Sequence, residues 1–91
     1  MKRAVKLHLK GTVQSLFFRQ FVKNNAEVNN VKGFLRKLED GSMEIFIEGD
    51  NEDVQEMINV CKSGPKHAII REVIEKEDRY QGFKEFKILN I

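Results

Sequence analysis

The chain has 91 residues, enough for one domain (1–91) with a two-layer core, and Lys plus Arg outnumber Asp plus Glu by 16 to 14, a net charge of +2. The signs are interspersed, which excludes a polybasic footprint for nucleic acid or a membrane surface, and no run approaches the roughly 18 apolar residues of a membrane span. One cysteine, two isolated histidines and no secretory apolar stretch support neither a disulfide scaffold nor a zinc site, so a reducing cytoplasm and no metal or cofactor are expected; a monomer is the default expectation.

Val5, Leu7 and Leu9 alternate with Lys6, His8 and Lys10, the period of a strand with one buried and one wet face. Gly11 to Arg19 then form a short loop running into a helix, on which Phe18, Phe21, Val22 and Ala26 recur at helical spacing from about Arg19 to Asn29. Backbone amides converge at such a turn, and the helix N-terminus adds unpaired donors and partial positive charge, so the loop reads as a cradle for a phosphate group. Arg19, just inside the first helical turn, can fork onto two oxygens of one bound anion. Asn29-Asn30 suits a left-handed helix stop.

Val31 to Glu39 and Ser42 to Glu48 flank Asp40-Gly41, a strong hairpin signal. Asp50 is placed to cap a second helix carrying Val54, Met57, Ile58 and Cys61 on one stripe, which stops at Gly64-Pro65. Ala68 to Glu75 reads as a fourth strand, Asp78 to Gly82 as a polar loop, and Phe83, Phe86 and Ile88 as a short extended segment of open register. The order βαββαβ, with both helices apolar on one side, predicts an α+β ferredoxin-like two-layer sandwich: an antiparallel sheet with two helices on one face and the first and third strands central.

The pattern Gly-x-Val-Gln-x-x-x-Phe-Arg at Gly11 to Arg19, followed by Gly33-Phe34-Leu35 and Asp40-Gly41, resembles the acylphosphatase family over nearly the whole chain. The resemblance implies hydrolysis of small acyl phosphates to carboxylate and inorganic phosphate. The amides of Gln14, Ser15, Leu16, Phe17 and Phe18 and the guanidinium of Arg19 would bind the phosphoryl group, and an asparagine would orient the attacking water. By position that asparagine falls on Lys37, so Lys37 is the second catalytic candidate, and a catalytically weak phosphate-binding domain is the alternative reading. Ser15 and Phe34 stand where the family usually has glycine and tryptophan. The resemblance also implies that the phosphate loop and the start of the second strand approach each other at one end of the sheet.

Alone, Arg19 and Lys37 would read as solvated surface charges, and the surrounding motif gives them roles; Ser15 reads equally as a turn residue or as a hydroxyl donor to the phosphate. His8 and His67 read as surface residues, Cys61 as core, and Phe34 and Phe46 as packing that shields the open sheet face. RNA-recognition modules share the βαββαβ order but carry a basic-aromatic third strand. Met43-Glu44-Ile45-Phe46-Ile47-Glu48 places carboxylates there instead, against a nucleic-acid partner.

Overall fold

The computed structural model describes residues 1–12, 16–66 and 68–89. Val13, Gln14, Ser15 and His67 lie outside the described residues. The elements are β1 (Lys2–Gly11), α1 (Leu16–Val28), β2 (Lys32–Lys37), β3 (Met43–Asp50), α2 (Asn51–Ser63), β4 (Ile70–Asp78) and β5 (Phe86–Leu89). They form one five-stranded sheet in the order β4-β1-β3-β2-β5, so β1 and β3 are interior as the crossover rule requires.

Alternation divides the strands cleanly. Val5, Leu7 and Leu9 of β1, Leu35 of β2 and Met43, Ile45 and Ile47 of β3 meet Phe18, Val22 and Ala26 of α1 and Val54, Met57, Ile58 and Cys61 of α2 in one buried core. Period 2 on the strands and period 3.6 on the helices thus bury complementary faces. Among the described residues, no helix covers the other sheet face. There Phe34 stacks on Phe46 at 5.6 Å between ring centroids, and Phe83, from the segment before β5, leans on both at 5.7 and 5.5 Å. Shielding of the open face by Phe34 and Phe46 is therefore realised, with Phe83 as the cover.

β1 to β4 pair antiparallel, as expected, whereas β5 pairs parallel to β2, making the sheet mixed at that edge. The segment before β5 crosses the open face and enters beside β2 in the same direction, with Gly33 donating to the Glu85 carbonyl at 3.1 Å. β4 begins and ends later than the apolar pattern suggests, because its register is set by pairing with β1 from Gly11 opposite Ile70 to Ala4 opposite Asp78. Asp78 is the last residue of β4, and the polar loop follows it.

Local chemistry fixes the turns. At the end of α1, Asn30 takes a positive φ of 58°. Val31 N–H donates to Ala26 at 2.9 Å and Asn30 N–H to Glu27 at 3.2 Å, the paired bonds of a Schellman stop. In the hairpin, the Gly41 amide donates to Leu38 at 3.0 Å, Leu38 donates to Ser42 at 2.8 Å, and Gly41 takes φ 87°, so the turn is a three-residue loop closed by a left-handed glycine. Asp50 does stand at the start of α2, but its carboxylate makes no capping bond and pairs instead with Lys2 at 3.3 Å.

Gly33 allows the tight β2–β3 approach. At its φ of 142°, a Cβ would lie 1.9 Å from the Phe46 carbonyl oxygen.

Candidate active site

β1 and β2 both run antiparallel to β3, so their C-terminal ends lie at the same end of the sheet. Leu9 and Lys37 both pair with Met43 in neighbouring ladders, which places Leu9, Met43 and Lys37 in one row across three strands. The loop leaving β1 and the final residue of β2 therefore share one end. It is the end of the second strand, not its start, that lies with the loop, because the crossover through α1 returns the chain parallel to β1.

Lys37 shares the strand face of Leu35, the face covered by the helices, and is exposed there. The helix covering this part of the sheet begins at the same end: α1 starts at Leu16, three residues before the predicted start at Arg19. Leu16 and Phe17 are 69% and 67% exposed in the first turn, whereas Phe18 is 1% exposed and anchors that turn in the core. Arg19 completes the turn, half-buried, with its Nε shielded from solvent.

The electrostatics of the two helix starts differ. The first turn of α2 carries Glu52 and Asp53, which complement the positive end of its dipole. The first turn of α1 has no acidic residue and instead adds the guanidinium of Arg19. A cation at a helix N-terminus is unfavourable by itself, and a bound anion would offset that cost.

Thr12, which sequence reasoning passed over, ties down the start of the loop. Its amide donates to the Ile69 carbonyl at 2.8 Å, and its hydroxyl accepts from the Ile69 amide at 2.6 Å. Gly11 makes this approach feasible: at φ 141°, a Cβ there would meet the Ile69 carbonyl oxygen at 2.0 Å. The ladder shifts by one residue between Lys10 and Gly11, so the strand ends in a bulge. A threonine directly after a strand-ending glycine is the signal that could have found this role.

At the same end, Asp40 accepts from both the hydroxyl and the amide of Ser42, the amide at 2.9 Å, and Ser42 Oγ lies 2.7 Å from His8 Nε2. These bonds from Ser42, its hydroxyl foremost, hold the Asp40 carboxyl below the usual carboxylate range. His8 is thus a half-buried, hydrogen-bonded residue rather than a bare surface one. Among the described residues, no group of three or more His, Cys, Asp or Glu gathers as for a metal ion.

Leu16, Phe17, Phe18 and Arg19 share the first turn of α1, and Lys37 ends β2 at the sheet end from which the loop leaves β1. Gln14 and Ser15, the remaining phosphate-binding candidates, fall outside the described residues.

Comparison with known proteins adds the family. The acylphosphatase family model matches residues 5–88. The chain is 37% identical over 90 residues to an acylphosphatase of Syntrophus aciditrophicus (strain SB), covering 98% of this chain and 94% of the relative. It is 36% identical over 89 residues to an acylphosphatase of Caldanaerobacter subterraneus subsp. tengcongensis, covering 97% and 99%. The crystal structure of acylphosphatase from Bacillus subtilis superposes with a TM-score of 0.90 at 26% identity, over 99% of this chain and all of that one. With the sandwich, the loop-to-helix turn and these likenesses in agreement, the chain belongs to the acylphosphatase family.

Proposed function

We propose that the protein is an acyl phosphate hydrolase that cleaves the carboxyl–phosphate bond of small acyl phosphates and releases carboxylate and inorganic phosphate. The observation that carries this reading is the first turn of α1, which has no carboxylate, carries Arg19, and opens beside the strand end bearing Lys37. Family membership over residues 5–88 supports the reaction class.

In this scheme the amides of Gln14, Ser15, Leu16, Phe17 and Phe18 hold the phosphoryl oxygens, and Arg19 neutralises charge as it grows on them. A water oxygen attacks phosphorus in line, the bond from phosphorus to the acyl oxygen breaks, and the carboxylate leaves with that electron pair. A carboxylate is a good leaving group, so positioning and charge stabilisation supply most of the barrier lowering without a protein nucleophile. Lys37 occupies the position at which the resemblance puts the water-orienting asparagine. An ammonium offers three donors and no acceptor, so it draws the water's lone pair towards itself and holds product phosphate. Slow turnover with firm phosphate inhibition is the expected signature. The protein acts in this reading as a cytoplasmic monomer.

The test is a turnover assay with benzoyl phosphate beside a calorimetric titration with inorganic phosphate. Turnover with competitive phosphate inhibition supports the hydrolase; phosphate binding with no turnover overturns it in favour of a binding domain.

A further inference from the structure

The sheet face opposite the helices carries an arrangement that phosphate chemistry leaves unused. Lys6 of β1 and Lys76 of β4 stand directly opposite each other in register. Like charges so placed destabilise an antiparallel pair. On this face Glu72 pairs with Lys10 at 3.8 Å and Glu44 with Arg36 at 2.9 Å, while Glu75 and Glu77, opposite the core residues Leu7 and Val5, pair with Lys62 at 3.6 Å and Arg3 at 2.8 Å. Lys6 reaches Asp78 at 4.0 Å, and none of the ion pairs among the described residues involves Lys76.

Both lysines line a cavity of about 320 Å³, together with His8, Leu38, Glu44 and Ile74. That volume is at the lower end of the range for small-molecule pockets. Its apolar surface comes from Leu38 and from Ile74, a large aliphatic side chain left 42% exposed. His8 is a fixed wall, because Ser42 gives its hydroxyl proton to Asp40 and accepts from His8 Nε2–H at 2.7 Å. Glu44, the acidic lining residue, is neutralised by Arg36, so the cavity is cationic at one side and apolar at the other.

We propose that this cavity is a second ligand site, for a small organic anion whose carboxylate bridges Lys6 and Lys76 while its apolar body lies on Ile74 and Leu38. The inference stands independently of the phosphate reading, since none of these side chains belongs to the loop, to Arg19 or to Lys37.

Hexanoate is the probe, titrated into the full chain in saturating inorganic phosphate so that the phosphate cradle is blocked. Hexanoate is expected to shift the amide resonances of His8, Ile74 and Lys76, to raise Tm, and to bind at least about tenfold more tightly than acetate, because its methylenes leave water. Hexylammonium should do none of this. The double variant Lys6→Gln/Lys76→Gln should lose at least about tenfold in hexanoate affinity while remaining as stable as the parent, since it relieves a like-charge pair. Ile74→Ser should weaken hexanoate and leave acetate unchanged. Equal hexanoate affinity in the double variant, equal binding of hexylammonium, or shifts confined to other residues would overturn the proposal.

Discussion

At the scale of single residues, three side chains can be tested for distinct duties. Arg19→Ala should cut phosphate affinity at least tenfold, as loss of charge-assisted bonds worth about 1.5–3 kcal/mol each demands, and Arg19→Lys should not restore it because an ammonium cannot fork onto two oxygens. A calorimetric phosphate titration checks both, and parent-level binding by Arg19→Ala would remove the cradle assignment. Lys37→Asn should raise kcat, by up to about 10²–10⁴, and weaken phosphate inhibition together, because an amide both accepts from and donates to the attacking water. An unchanged or lower kcat means that another group orients the water. Burial pushes the Cys61 thiol up from 9.0 to about 12. Between those values the unfolded chain has lost the thiol proton and the folded chain has kept it, so stability is unaffected below about pH 9 and falls as pH rises towards 12. Denaturant midpoints for the parent and for Cys61→Ala should therefore diverge less at pH 10.5 than at pH 7, and a constant difference would contradict the burial of the thiol.

At the scale of elements, legibility followed the range of the signal. The hairpin was readable because Asp40-Gly41 encodes it in two adjacent residues, and the end of α1 because asparagine tolerates the φ of 58° that Asn30 adopts. β5 was not: four residues carry too little periodicity, and its parallel partner β2 lies some fifty positions earlier with no turn to announce the pairing. Which end of β2 meets the loop was misjudged: the resemblance implied its start, and only the strand directions place Lys37, at its end, in one row with Leu9 and Met43. The segment between β4 and β5 has its own anchor, also unread in sequence. Glu48, completely buried, accepts the amide of Gln81 at 2.6 Å and that of Phe83, pinning Phe83 onto Phe34 and Phe46. Glu48→Gln turns one acceptor into a donor facing an N–H, so a loss of about 1–3 kcal/mol is expected, with faster hydrogen exchange at Gln81 and Phe83. Unchanged exchange there would show that the aromatic stack holds the segment without the carboxylate.

For the whole molecule, acid should act through carboxylates whose folded form is favoured. The Arg3 hydrogen bond lowers Glu77, and Ser42 lowers Asp40. A carboxylate lowered in the folded state contributes stability above its unfolded value, and that contribution disappears as pH falls through its folded value. Thermal unfolding should show Tm level near neutrality and declining below the ordinary carboxylate range, with a shallower decline for Arg3→Gln. The place of β1 in the sheet also governs time. Its two neighbours are β3, which ends at Asp50, and β4, which ends at Asp78, so β1, made before either, waits until β4 is made before both its edges are satisfied. Such distant pairings must close long loops before they repay the ordering cost, which places refolding in the millisecond-to-second range rather than among microsecond folders. During synthesis, a nascent chain stopped short of Ile70 should stay open to protease, and resistance should arrive abruptly once β4 and β5 have both cleared the ribosome.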